Sequence, residues 1–461
     1  MSRDLRKKVA KAASRQRSGQ NTPIVLSPNG SRYNSEDEDN WSVYSGDSQD
    51  SFVSSVASRA DASELEEITT WEDDLKQCVD NLNEKRTSTR EEALAKLARI
   101  LSKKFAGELL SSRRETLLDT LKRGIKKSGS HTENALASKV LLLTFITIGE
   151  EDESMFQEVY SLLKYTIVNN PSSSVKCSCI DTLAMACFIA ASIEDTIECL
   201  GFFFEILKTS SRSINSDESD AALTHAANAY GLLFSIIWGE GRGDESTLQE
   251  ELKKVMPVQL KLLESSVMET RVAAGLNIAL IFESASFHNE DDEDEVEIAG
   301  NNTEYDQMDE LVELLQQLAT DSNRRRSKKD RSHQRSVFRD IVRTVEAGVH
   351  PEERLKFRRQ TLRLESWAKI LQLKSFRSAL SGGLQIHFES NELVQGVFQF
   401  VPLPPAGSRT SSSTPSNNHE DEGENYQENS VDRRYLNAEM AKERTRERNR
   451  QRRGKSGAAY Y

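Results

Sequence analysis

The chain has 461 residues, 37% hydrophobic and 29% charged, with a formal net charge of −12. That length admits two or three domains, and so polar a balance excludes one packed core running through the whole chain. The charge is segregated rather than spread. Residues 1–17 are basic, residues 290–297 (EDDEDEVE) acidic, and residues 324–343 and 433–455 strongly basic, the pattern of interaction tails and solvated linkers.

Residues 1–63 read as a disordered segment: a basic arm followed by the Ser/acidic run SEDEDNWSVYSGDSQDS, too poor in apolar residues to fold. From Trp71 the pattern turns helical. STREEALAKLARIL starts a helix near Arg90, with Thr87, Ser88 or Thr89 as its cap, and further starts follow near Thr132, Val175, Asp220 and Thr270. The starts recur at about 40–50 residues, the period of HEAT and armadillo repeats. Small residues come early in each, at Ala93, Ala135, Ala184, Ala222 and Ala273, so that neighbouring helices approach closely. Partner helices such as FQEVYSLLKYTIV and LQEELKKVMPVQLKLLE lie between them. Residues 64–284 are therefore expected to form a HEAT/armadillo-like α-solenoid, stacked so as to leave extended faces.

Residues 285–330 read as an acidic-to-basic connector with one short helix, MDELVELLQQLATD, closing the solenoid. Residues 331–402 read as a small α+β C-terminal module. Val337, Phe338, Ile341, Val342 and Val345 recur at helical spacing; Thr361–Ser366 alternates as a strand; a helix covers Leu371–Leu380. That helix is expected to end in a left-handed cap at Gly382 and Gly383. Leu384, Ile386 and Phe388 then suggest a second strand, with His387 as a structural member, and Asn391 caps a last helix holding Phe398. Residues 403–430 read as a flexible linker and residues 431–461 as a basic helical tail whose apolar residues stop at Met440. The fold class expected is mainly α: a solenoid, a small α+β module, a disordered N-terminus and a basic tail.

No residues assemble a recognisable catalytic constellation, so no enzyme, cofactor or small-molecule substrate is expected. Cys177-x-Cys179 lacks the spacing of a zinc or redox motif, and on a helix the two diverge by about 200°. GEGRG at residues 239–243 carries no Lys-Ser/Thr phosphate signature and reads as a loop. Five cysteines (Cys78, Cys177, Cys179, Cys187, Cys199) make an odd set without disulfide-framework spacing, as in a reducing compartment. The charged N-terminus and the lack of a membrane-length apolar run lead to the expectation of no membrane partner, and of a cytoplasmic and nuclear location.

The basic stretches carry the chemical signal. Arg324, Arg325, Arg326, Lys328, Lys329, Arg331 and Arg335 form one candidate phosphate-binding set. A solvated face, or an import signal in RRRSKKDR, is the other reading of that stretch. Arg444, Arg446, Arg448, Arg450, Arg452 and Arg453 form a second set, on a helix with no core to serve. Clustered cations bind RNA phosphate largely through counterion release, and arginine adds a planar hydrogen-bonding fork.

RSVFRDIVRTVE, the ESW around Trp367 and HFESNELVQGVFQF resemble the C-terminal block of the interferon-related developmental regulator family. The resemblance extends over roughly residues 30–402; within the block Phe338, Trp367, His387, Asn391 and Phe398 are read from their apolar-periodic, strand and cap positions as structural residues. It implies a non-catalytic regulator in one of two settings: bound to ribosomes and ribosomal RNA, restraining translation, or in nuclear complexes as a transcriptional co-regulator holding protein partners on the solenoid.

Overall fold

A computed structural model describes residues 63–127, 129–210, 217–289, 305–320, 327–357 and 360–403. The expectations for the N-terminal segment, the acidic run, the 403–430 linker beyond its first residue and the basic tail lie outside these residues.

Twelve of the helices form six stacked pairs among the described residues. The outer row comprises α1 (Ser63–Asn81), α4 (Arg114–Lys127), α6 (Glu153–Asn169), α8 (Ile193–Ser210), α10 (Glu245–Leu263) and α12 (Met308–Thr320). The inner row comprises α2 (Thr87–Lys103), α5 (His131–Ile148), α7 (Ser173–Ala190), α9 (Asp217–Ile237), α11 (Met268–Asn289) and α13 (Lys328–Ala347), each packed on the next. The short α3 (Gly107–Ser111) joins the first two pairs. The fold is a HEAT/armadillo-like α-solenoid. Caps set several boundaries: Ser130, Asp152 and Asp244 accept from backbone N–H groups at the starts of α5, α6 and α10. Thr87, Ser88 and Thr89 do not cap α2. Arg86 occupies the cap position without a side-chain bond, and the turn is held instead by Arg90, which donates to Glu84 O and Lys85 O at 2.9 Å and to the Glu133 carboxylate at 2.7 Å.

Polar ties repeat at the period of the inner row. Ser138 and Thr182 hydroxyls meet at 2.9 Å, Thr224 and Thr270 at 2.7 Å, and Asn277 donates to Ala227 O at 2.9 Å. Each pair is buried or half-buried, so each satisfies groups that would otherwise cost about 1–3 kcal/mol. The middle inner helices α5, α7 and α11 are apolar on nearly every side. Val140, Leu141, Leu142, Leu143, Phe145 and Ile146 of α5 are all buried, too many for one interface. The expectation that no apolar run reaches membrane length fails at α7, which by length and composition would suffice to cross a membrane; 61% of it is buried within the solenoid.

A third layer explains that burial. After α13 the chain forms an antiparallel pair, β1 (Glu353–Lys356) and β2 (Thr361–Leu364), with Glu353 opposite Leu364 and Arg354 opposite Arg363. The helices α14 (Trp367–Leu380), α15 (Leu384–Ser390) and α16 (Glu392–Phe398) then run back over the inner row, α14 on α9 and α11, α15 on α2, and α16 on α5. Gly231 of α9 permits the closest crossing, because a Cβ there would lie 2.6 Å from Leu371 Cδ2 and 2.1 Å from Asn277 Oδ1. The C-terminal segment therefore closes the inner surface of the solenoid with the chain's own residues.

Three expectations for this segment change. The helix expected over Leu371–Leu380 begins at Trp367, capped by Ser366. The turn after it carries its positive φ at Ser381 (49°), not at either glycine; Gly383 is needed because a Cβ would meet the Ser102 carbonyl oxygen at 1.7 Å. Leu384–Phe388 is a helix, not a strand. Leu384, His387 and Phe388 turn inward while Ile386 is 39% exposed, which is helical spacing along an apolar groove.

Candidate nucleic-acid interface

The basic stretch becomes the last inner helix, α13. Ser327 caps it by accepting from Asp330 N–H, and Gly348 ends it in the left-handed conformation, φ 63°. Val337, Phe338, Ile341 and Val345 are buried against α11 and α12. A buried polar tie fixes its roll: Arg271 of α11 donates to Gln334 Oε1 at 2.6 Å, and Gln334 donates to Leu318 O at 3.2 Å.

The other side of α13 carries Arg331, Arg335, Arg339 and Arg343, four residues apart and so in one stripe, with Lys329 exposed at its start. Arg331 and Arg335 are half-buried and lean on the backbone at Ser327 O and Arg331 O. Arg339 is exposed; Arg343, 69% exposed, reaches Asp340 at a loose 3.8 Å. Like charges at this spacing each cost a helix about 0.2–0.5 kcal/mol, so helix stability does not account for the stripe. Arg324, Arg325, Arg326, the Lys328 side chain and the tail residues Arg444, Arg446, Arg448, Arg450, Arg452 and Arg453 lie outside the described residues.

The remaining expected residues lock the returning segment down. Trp367 is wholly buried; its indole N–H donates to Thr344 Oγ1 of α13 at 2.9 Å. Its backbone N–H donates to the buried Glu283 carboxylate at 2.9 and 2.8 Å, and Ala368 N–H adds a contact at 3.4 Å. His350 Nδ1 lies 3.2 Å from the same carboxylate. Glu283 of α11 thus supplies the anion at the N-terminus of α14. Sequence reading passed over Glu283; its signal was a carboxylate closing an otherwise apolar run, IALIFE.

At the other end His387 Nε2–H donates to Leu101 O at 3.1 Å, and its Nδ1 accepts from Asn391 Nδ2 at 3.2 Å. Burial holds the His387 ring below the ordinary imidazole range, which suits this neutral tautomer. Asn391 also donates to Ile146 O at 2.9 Å and caps α16. Phe398 joins a ring chain from Phe188 of α7 through Phe376 to Phe388, at centroid distances of 5.9, 5.7 and 5.2 Å.

Between α14 and helices α5, α7 and α9 a cleft of about 420 Å³ remains. His225 and Asp181 pair on its wall at 2.6 Å; burial opposes the imidazolium there, but the carboxylate outweighs it and raises the His225 pKa. Lys374 donates to Asn228 Oδ1 at 2.9 Å, and burial pushes its ammonium down to about 8. Burial likewise pushes the Cys179 thiol up to about 11, away from thiolate chemistry.

Stacked helix pairs covered by a returning segment define an α-solenoid, a class that works by presenting side chains over an extended surface. The interferon-related developmental regulator family model matches residues 40–346, and the chain belongs to that family. Interferon-related developmental regulator 2 of Mus musculus is 31% identical over 342 residues, covering 72% of this chain and 74% of the relative. Interferon-related developmental regulator 1 of Homo sapiens is 30% identical over 351 residues, covering 73% and 74%. A designed armadillo repeat protein aligns with 57% of this chain and 98% of its own at 18% identity, with a TM-score of 0.33, too low to carry an argument. The protein is a regulator of the interferon-related developmental regulator type.

Proposed function

We propose that this regulator binds ribosomes through ribosomal RNA phosphate and restrains translation, working in the cytoplasm and the nucleus. The observation that carries this reading is the arginine stripe of α13. Its helix spends its apolar side on α11 and α12, and aligns Arg331, Arg335, Arg339 and Arg343 on the other, against helix stability. A phosphate surface offers countercharge to this stripe. The six tail arginines extend the same chemistry at the far end of a linker. The co-regulator reading would use the inner surface of the solenoid to hold partners, and α14, α15 and α16 already cover that surface.

Sedimentation of lysate through sucrose gradients at low and high salt tests the proposal. The protein should travel with ribosomes at low salt and leave them at high salt. Arg444, Arg446, Arg448, Arg450, Arg452 and Arg453, all replaced by Gln, should release it at low salt. Unchanged co-sedimentation of that variant would remove the tail as an RNA-binding element and leave the α13 stripe to carry the binding; a native chain that stays off ribosomes at low salt would favour the co-regulator reading.

A further inference from the structure

The β-hairpin between α13 and α14 carries charge that its own stability does not explain. Alternation turns Glu353, Leu355, Leu362 and Leu364 inward, buried or half-buried, and leaves Arg354, Lys356, Thr361 and Arg363 exposed on the other face. Arg354 stands directly opposite Arg363 in the register, and like charges in that relation repel. The carboxylate in reach is Glu352. It accepts from Arg354 Nε and Nη2 at 2.6 and 2.7 Å and lies 3.9 Å from Arg363 Nε. One carboxylate thus serves two cations, and Lys356 adds a third positive charge to the same face.

The inner face holds this charge in place. The buried Glu353 carboxylate accepts from Arg377 of α14 at 2.7 Å. The Phe357 ring packs on Phe400 at 4.4 Å and Phe388 at 5.2 Å, and Gln360 donates to Val401 O at 3.2 Å. Outward residues on one strand are about 7 Å apart and directly opposed residues about 5 Å apart, so three cations form a compact, fixed plate.

We propose that the outward face formed by Arg354, Lys356 and Arg363 binds the phosphate backbone of double-helical RNA. Among the described residues of the hairpin the outward face offers no aromatic ring for an unpaired base to stack on, the usual basis of single-strand binding. It offers cations and the Thr361 hydroxyl, groups that contact the phosphates and 2′-hydroxyls by which duplex RNA is recognised. The choice of RNA over DNA rests on the ribosomal reading above; the phosphate chemistry rests on the hairpin alone.

The test is fluorescence anisotropy with the full chain, its six tail arginines replaced by Gln so that the tail does not mask the hairpin. The probe is a 20-base-pair RNA duplex, titrated from 50 to 200 mM salt beside a DNA duplex, a single strand, polyglutamate and anionic vesicles. Replacing Arg354, Lys356 and Arg363 together by Gln should weaken duplex RNA binding at least tenfold and lower the salt slope by about 3. Glu352→Gln removes the competing carboxylate and should tighten binding. Arg363→Gln should weaken binding while leaving the melting temperature unchanged or higher, a combination that a purely structural arginine would not produce. Duplex binding indifferent to the triple variant would overturn the inference, as would equal hairpin-dependent binding to polyglutamate, vesicles or a single strand. Hairpin-dependent binding to DNA alone would overturn the assignment to RNA. Failure of the native chain to co-sediment with ribosomes at low salt, with hairpin-dependent duplex binding intact, would fail the ribosomal reading and leave this inference standing.

Discussion

Glu283→Ala is the sharpest perturbation of the closed solenoid. The Glu283 carboxylate is buried to 1% exposure and accepts from Trp367 N–H, at 2.9 and 2.8 Å to its two oxygens, and from Ala368 N–H at 3.4 Å. Alanine leaves two buried donors without an acceptor, each costing about 1–3 kcal/mol, for a total of roughly 2–6 kcal/mol. Against the typical domain stability of about 5–15 kcal/mol that loss is large. Glu283→Gln keeps one acceptor oxygen and should cost about half as much. The assay is urea denaturation combined with amide hydrogen exchange. The Ala variant should lower the midpoint, and amides of residues 367–400 should exchange faster by a larger factor than those of residues 131–190. A stability loss under about 1 kcal/mol, or unaltered protection of α14, would refute the claim that Glu283 holds the returning segment.

Trp367→Ala should cost about 3–5 kcal/mol and expose residues 331–402 to protease, while Trp367→Phe, which forfeits chiefly the indole bond to Thr344, should cost about 1 kcal/mol; melting and limited digestion check both. Burial lowers the folded-state pKa of His387 below its unfolded value, so its contribution is fully present above about pH 6.5 and is lost as pH falls through the folded pKa. Protection of residues 384–400 should therefore drop between pH 7.5 and 5.5 in the native protein and respond less in His387→Gln. His225, raised by Asp181, acts with the opposite sign, stabilising below about pH 6.5 and losing that effect as pH rises through its folded pKa, so the readout has to be local hydrogen exchange.

Much of the solenoid was legible because its signals are local. Small residues early in each inner helix, the cap at Asn391 and the recurrence of starts all stand in contiguous sequence. The third layer had a signal as well. Inner helices apolar on nearly every side, such as VLLLTFITI in α5, require a second covering surface beyond the outer row. Its identity was not legible, since His387 finds Leu101 O across 286 positions and Asn391 finds Ile146 O across 245. The strand expected at Leu384–Phe388 failed because a five-residue apolar alternation also satisfies a helix whose positions 384, 387 and 388 face inward. The strand β1 was missed for the converse reason. ERLK looks polar, and only the buried pair of Glu353 with Arg377 shows that its first carboxylate belongs to the interior. With β1 went the hairpin, and with the hairpin the cations Arg354, Lys356 and Arg363.

The most direct measurement of the functional account is ultraviolet crosslinking of the full chain to RNA in lysate, with crosslinked peptides mapped by mass spectrometry. The account predicts crosslinks to ribosomal RNA within residues 327–364 and 433–453, lost at high salt. Crosslinks confined to the inner row or to α14, or a chain that crosslinks to no ribosomal RNA at low salt, would contradict it.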